Sequence, residues 1–445
     1  MKSVNDFGSF QLASIECSHQ NIDDIKLFAN RNISELCSKK NANLLVFPDE
    51  IDYYGDEIGN KTICRITDTT LETGDVLGFV GCNDTSLTIR SRFALEGADD
   101  NFLHYMLKKV FAINVVDLKH SISKDNALDL FMYLFPYHLK SALQQGLIKK
   151  YKTCKYNDAN IRGAIDIPRH ISHNMPFRGN VAYSTREFSY DNEVTQLIRH
   201  TIEFIRKHPN GHGILAVKDV EACVKTIEGA TPTYSSSELQ SVVYKNLTPI
   251  QHPYYTKYRN LQRICLQILQ KKGMKYGKGK DKVYGLLFSG SWLWEEYLGL
   301  LLSKLYKHYY RNKGQKFSLF DSPYYQRVIP DYIKWDSDGK TALAVADAKY
   351  IRLDKSSTYY EEKATAIYYK TITYMHRWNV STGWLFYPSF DTINSDNMRI
   401  SNTASFIVKM PLKIPNQELS FDEFCRLMEI SEKDFLKRIE ITPNK

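Results

Sequence analysis

The sequence predicts an α+β or α/β multidomain protein, with a β-rich N-terminal part, a helical and mixed middle, and a C-terminal part where helices and strands alternate. Three observations predict this. Residues 61–93 are rich in β-branched side chains broken by turn residues. From Asn101 the apolar residues recur at helical intervals. Beyond Val283 the order reads helix, strand pair, helix, strand, strand, closing helix. A chain of 445 residues has room for two or three domains, and no repeat of solenoid period is present. The expected division is 1–100, 101–282 and 283–445.

Taken in order, "NIDDIKLFANRNISELCSKK" has helical spacing, and "KTICRITDTTLETGDVLGFVGCNDTSLTIRSRF" reads as short strands separated by Thr-Gly-Asp and Gly-Cys-Asn-Asp turns. "NFLHYMLKKVFAINVVDL" and "ALDLFMYLFPYHLKSALQQGLIKKY" read as helices. "NVAYSTREFS" is an expected strand leading into a helix that starts near Asp191, with Asp191 or Asn192 as its N-cap. "SSSELQSVVYKNL" and "YYTKYRNLQRICLQILQKKG" continue the helical character. Between Lys271 and Lys282 lie six lysines, one aspartate and three glycines. Such a run is expected to be a solvated linker, with a basic segment beside a phosphate backbone as the sharper alternative. Then follow the apolar helix "SWLWEEYLGLLLSKLYKHYY", a hairpin, the helix "TYYEEKATAIYYKTITYMHRW", the strands "TGWLFYPS" and "TASFIVKMPL", and the helix "SFDEFCRLMEISEKDFLKRI".

Composition narrows the function classes. The formal charge is +9, from 59 Lys+Arg against 50 Asp+Glu, which permits a nucleic-acid partner without demanding one. The eight cysteines show no C-x-x-C pair and no zinc-finger spacing to histidine, so they read as reduced thiols of a cytoplasmic protein. The N-terminus lacks a secretory pattern, and Glu295 and Glu296 interrupt the longest apolar stretch, so no membrane span is expected.

The chemistry concentrates in "RVIPDYIKWDSDGKTALAVADAKY", Arg327 to Tyr350. A hairpin turning at Gly339 sets Asp331 opposite Asp347, and opposed residues of antiparallel strands share a face. Lys349, two residues beyond Asp347, shares it too. A one-residue slip would undo this register. Two neighbouring carboxylates repel unless one is protonated or a cation lies between them, and a hard cation such as Mg²⁺ prefers oxygen ligands. Such an ion polarises a phosphate oxygen and acidifies a bound water, while the lysine orients that water or stabilises charge on phosphorus. Ala342, Ala344, Ala346 and Ala348 form a small-residue face that lets a helix pack closely. Upstream, one glutamate of the apolar helix is expected to turn toward the site, Glu295 in preference to Glu296.

"WLWEEYL", "RVIPD", "AVADAKY" and "YYKTITYM" together resemble the PD-(D/E)XK nuclease core, and more narrowly the McrC-type subunits of McrBC modification-dependent restriction systems and their LlaJI-type relatives. "LTIRSRF", "NFLHYML", "IRGAIDIPRHI" and "REFSYDNEVTQLIRHTI" are similar to segments that precede the core in that family. The likeness runs from about Gly74 to about Tyr387. It implies a restriction-endonuclease-like C-terminal core, a mixed sheet flanked by helices. It implies Asp331, Asp347, Glu295 and the Ala348 carbonyl around Mg²⁺, with Mn²⁺ as a substitute, and Lys349 as the catalytic lysine. Tyr374 matches the tyrosine of a Gln-x-x-x-Tyr helix motif, while Lys370 stands where that motif has glutamine, a departure that leaves it to contact phosphate. The family further implies DNA as substrate and an McrB-like AAA+ GTPase as partner, docked by the N-terminal part. The chain has no G-x-x-x-x-G-K-[ST] segment of its own, so a nucleotide motor would be a separate protein. Two other readings compete: a catalytically inactive activator of the GTPase, and a stand-alone nuclease.

Overall fold

The computed structural model describes residues 2–12, 19–37, 44–48, 58–83, 85–111, 126–208, 211–270, 283–309, 317–351, 353, 358–391 and 396–441. The basic run 271–282 lies outside them, as does the end of the expected helix after Phe111. Contacts group the chain into two compact units, Met1–Ala127 with Tyr276–Lys445, and Leu128–Lys275.

Among the described residues the first unit holds three sheets, a small one of Ser9–Gln11, Thr70–Thr73 and Cys64–Ile66 and two larger ones that bear on the candidate site. Its five-stranded sheet runs Lys2–Asn5, Thr85–Arg90, Val76–Cys82, Val283–Ser289, Leu44–Phe47. The chain segment at 283–289 therefore pairs antiparallel with Val76–Cys82 and parallel with Leu44–Phe47, joining residues some two hundred positions away. Glycine makes the pairing close. Gly285 has φ +156°, and a Cβ there would stand 2.4 Å from the Phe79 carbonyl oxygen. Gly78 on the partner strand has φ +124°, with the Leu286 carbonyl oxygen 2.2 Å from where its Cβ would be. Ile63, Leu71, Val76, Val80, Leu87, Ile89 and Leu287 are fully buried beneath it, with Phe28 and Ile33 from the helical N-terminal segment.

The second of the larger sheets has six strands: Lys307–His308, Tyr332–Trp335, Ala342–Ala348, Thr382–Ser389, Phe406–Lys413, Asp396–Arg399. It is mixed, because Ala342–Ala348, Thr382–Ser389 and Phe406–Lys413 run parallel while the outer pairs are antiparallel. The Thr358–Trp378 helix makes the crossover between the first two parallel strands, the connection parallel pairing requires. It packs Tyr374 and Met375 against Ile333, Val345, Leu385 and Ile407 on one face. The other face takes the Gly290–Leu301 helix, whose Trp294 donates to the Phe386 carbonyl, and the Phe421–Ile441 helix, whose Phe435 meets Phe386 edge-on. Helices on both faces explain why the central strands are apolar on both sides.

One expected element is shorter than its periodicity suggests. The apolar helix expected to run to Tyr310 ends at Leu301, and Lys307–His308 becomes an edge strand on Tyr332–Ile333. Sheet pairing with a distant strand outcompetes local helical spacing there. Asp396–Arg399 is a strand the sequence pattern did not mark.

The second unit contains a three-stranded sheet, Lys150–Asp158, Val181–Ser189 and Ala164–Ile165, with helices Glu193–Arg206, Lys218–Ala230 and Thr256–Gln270. Asn192 is the N-cap of the first of these. Its Oδ1 accepts from Val194 N at 3.1 Å and its own N–H donates to Thr195 Oγ1 at 3.1 Å. Among the described residues no helix is long and apolar enough to cross a membrane.

Candidate functional site

The hairpin has the register the sequence predicts. Tyr332 pairs with Ala346, Ile333 with Val345 and Lys334 with Ala344, a frame that sets Asp331 opposite Asp347. A bulge between Lys334 and Trp335 shifts the pairing by one residue toward the turn, away from the acids. The turn is closed by Asp336 N to Thr341 O at 2.9 Å and Gly339 N to Asp336 O at 2.9 Å. Gly339 has φ +67°, open to glycine at no steric cost. Asp338 Oδ1 accepts from Lys340 N at 2.7 Å and Thr341 N at 3.2 Å, which is why this acid belongs to the turn and not to the chemistry.

At the other end of the hairpin the two aspartates are buried, Asp331 at 2% exposure and Asp347 at 0%. Asp331 Oδ2 accepts from the Ala348 amide at 2.7 Å, a bond that ties the first strand's entry to the second strand's tip. Lys349 Nζ pairs closely with Asp347 Oδ2, and Lys370 Nζ stands 3.9 Å from the same oxygen. Asp347 Oδ1 is buried and accepts no hydrogen bond. Burial alone would raise the Asp347 pKa, but Lys349, Lys370 and the Asp331 contact outweigh it and hold the carboxyl well below the usual carboxylate range. Asp347 is therefore an anion in a dry place. The backbone of Lys349 is fixed by its N–H to the Phe386 carbonyl at 2.8 Å.

The crossover helix completes the cluster. Lys370 and Tyr374 are one turn apart on it, with Lys370 Nζ 5.5 Å from the centre of the Tyr374 ring. Tyr374 is buried at 5% in the apolar layer under the hairpin, so it supports Lys370 from below. Lys370 is the more exposed of the two lysines, placed to meet an anion arriving from solvent.

Glu295 is placed differently. Its Oε1 lies 3.0 Å from His308 Nε2, and its backbone oxygen accepts from the Tyr332 hydroxyl. Among the described residues no three His, Cys, Asp or Glu side chains gather to hold a metal, so Glu295 does not join the two aspartates. The physical reason is the sheet itself. Tyr332 and Ala346 face the Gly290–Leu301 helix, while Ile333 and Val345 face the crossover helix. The structure thus brings together Asp331, Asp347, Ala348, Lys349 and Lys370, with Tyr374 beneath, and sets Glu295 on His308. The helical spacing of the sequence places His308 in a helix and does not mark it as a site residue. No local signal links it to Glu295, because sheet pairing with Tyr332 brings it there.

The donor set suits a hard divalent cation. It offers carboxylate oxygens and one buried oxygen, Asp347 Oδ1, that accepts no hydrogen bond. Lys349 and Lys370 place positive charge beside these carboxylates.

A family model described as "McrBC 5-methylcytosine restriction system component" matches residues 71–388, a span that contains every candidate site residue. Among solved structures, the refined half-complex from the tetradecameric assembly of Thermococcus gammatolerans McrB AAA+ hexamers with bound McrC is 14% identical, with 96% of this chain and 99% of that chain covered and a TM-score of 0.48. The cryo-EM structure of the Thermococcus gammatolerans McrBC complex is 15% identical, with 68% and 87% covered and a TM-score of 0.34. No curated protein matches.

Proposed function

From the premise that this chain belongs to the McrBC 5-methylcytosine restriction system component family, we propose that it is the endonuclease subunit of a GTPase-dependent restriction system that cuts phage DNA in the cytoplasm. The six-stranded mixed sheet serves as a PD-(D/E)XK core. Its partner is a McrB-like AAA+ GTPase, docked by the N-terminal region, that supplies DNA recognition and translocation. The observation that carries this reading is the hairpin register, which opposes Asp331 to Asp347 and pairs Lys349 with Asp347 inside the family-matched segment.

Asp331, Asp347 and the Ala348 carbonyl would hold Mg²⁺, with Mn²⁺ as a substitute. When bound, the ion supplies Lewis-acid polarisation of the scissile phosphate and a more acidic water. The chain's own residues do the rest. Asp347 remains ionised at neutral pH because Lys349 and Lys370 offset its burial. Lys349 Nζ, paired with Asp347, would orient the attacking water and stabilise the negative charge that grows on the phosphate oxygens. Lys370 steers the DNA backbone to the rim, and Tyr374 keeps that lysine's stem from collapsing onto the apolar layer. Glu295, held by His308, orients the edge strand and stays out of the ligand set.

The test is DNA scission by the chain together with its GTPase partner in Mg²⁺. Asp347→Ala is expected to abolish cutting while GTP turnover by the partner is still stimulated. Undiminished cutting by that variant would remove the proposal. Among the described residues no third acidic side chain gathers with the two aspartates, and the rival reading is an activator of the GTPase without nuclease activity. Stimulated GTP turnover with no scission by the unaltered chain in any divalent metal would select the rival.

A further inference from the structure

A buried polar network ties the five-stranded sheet to the residue that follows Lys349. At its centre is Arg92, just past the Thr85–Arg90 strand. Arg92 Nε donates to Asp6 Oδ2 at 2.9 Å, and Nη2 pairs with the same carboxylate and with Asp75 Oδ1 at 3.1 Å. The remaining nitrogen, Nη1, donates to the Tyr350 backbone carbonyl at 2.9 Å. The guanidinium also lies 4.8 Å from the centre of the Tyr350 ring. The Tyr350 hydroxyl is 2.9 Å from Ser91 Oγ, and its ring meets Phe93 edge-on at 5.4 Å. Asp75 in turn accepts from Ser291 at the start of the Gly290–Leu301 helix and from Lys61 Nζ at 3.4 Å. Gly290 closes the other side, since a Cβ there would stand 2.7 Å from Tyr350 Cε1.

Lys349 is thus flanked by two backbone anchors, one at its own N–H and one at the carbonyl of the residue that follows it. Its N–H is bound to the Phe386 carbonyl, and the next carbonyl is bound to Arg92. The Lys349 ammonium rides on four flexible carbons, so where its Cα sits decides how much freedom must be frozen to bring Nζ to a phosphate. The guanidinium spreads its five donors over three nitrogens and so spans two carboxylates and a carbonyl, whereas an ammonium offers its three donors from a single point.

We propose that Arg92 is a positioning residue for Lys349: anchored by Asp6 and Asp75, it fixes the Tyr350 carbonyl and with it the exit of the Ala342–Ala348 strand. This rests on the nuclease reading above, in which Lys349 acts on the phosphate. Arg92 touches neither DNA nor metal in this scheme. It makes the five-stranded sheet part of the site's alignment.

The experiment uses the full chain with its GTPase partner. Arg92→Lys keeps the charge between Asp6 and Asp75 but lacks the nitrogen that reaches Tyr350. At saturating DNA its cleavage kcat is expected to fall about 10- to 100-fold, with KM for DNA and the Mg²⁺ half-saturation within about twofold. Amide exchange of residues 348–351 should accelerate at least about tenfold, while the Val76–Cys82 strand keeps its protection. Gly290→Ala, which keeps the guanidinium but crowds the Tyr350 ring at 2.7 Å and Asp75 Oδ1 at 3.3 Å, should show the same pattern. Unchanged exchange at 348–351 in Arg92→Lys, or acceleration spread evenly through the five-stranded sheet, overturns the proposal. Local acceleration combined with full cutting by Asp347→Ala keeps the anchor and discards the nuclease reading on which its catalytic meaning rests.

Discussion

Asp347 and Glu295 carry the sharpest contrast at the residue scale, because both are acids near one sheet and only Asp347 has a buried oxygen without a hydrogen bond. Asp347 is wholly buried, ionised by its lysines, and carries an oxygen with no hydrogen bond. Glu295 already has His308. Asp347→Asn is therefore expected to lower the cleavage rate by about 10³-fold or more, and Glu295→Gln by no more than about 10-fold, as measured by single-turnover cutting with the partner present. Equal losses would put Glu295 back among the metal ligands. His138 gives a second prediction at this scale. Burial, with help from the nearby Lys257 charge, pushes its pKa down to about 3 from an ordinary 6.5. The folded state keeps it neutral while the unfolded chain protonates it, so stability is complete above pH 6.5 and is lost as pH falls toward 3. Between pH 7 and pH 5 the loss is about 2 kcal/mol, read as amide protection in the Leu128–Lys275 unit. His138→Gln should flatten that slope.

At the scale of elements, strands and helix ends are held by different chemistry. The Val283–Ser289 strand fits between its neighbours because two glycines let backbone approach backbone. Gly285→Ala must place a methyl 2.4 Å from a carbonyl oxygen at φ +156°, so it is expected to cost at least about 3 kcal/mol in denaturant unfolding of the first unit. A cost below about 1 kcal/mol would show that the strand can slide. The Glu193–Arg206 helix depends on a reciprocal cap, and Asn192→Ala is expected to cost about 1 kcal/mol, with the loss confined to the second unit. The hairpin was legible because an aspartate and a glycine mark its turn and alternation marks its faces. The edge strand at Lys307–His308 was not, because a two-residue strand carries no period and exists only by pairing.

For the whole molecule, the proposed metal binding would be linked to stability. A cation bound at Asp331 and Asp347 only in the folded state adds about 2.7 kcal/mol at one hundred times its dissociation constant. Mg²⁺ should thus raise the melting temperature of the unaltered chain and leave that of Asp347→Ala nearly unchanged, with chelator reversing the rise. An equal rise in both would place the ion elsewhere. The mixed α/β architecture, the succession of apolar helix, hairpin, crossover helix and the strands Thr382–Ser389 and Phe406–Lys413, and the antiparallel meeting of Asp331 with Asp347 were determined by the sequence itself, through alternation, turn residues and local spacing. The addition of Val283–Ser289 to the N-terminal sheet, the seating of Glu295 on His308 and the hold of Arg92 on Tyr350 were decided by tertiary structure alone. Each of these joins residues brought near one another by strand pairing or helix packing, and no local pattern encodes which distant surface a strand or a guanidinium will meet.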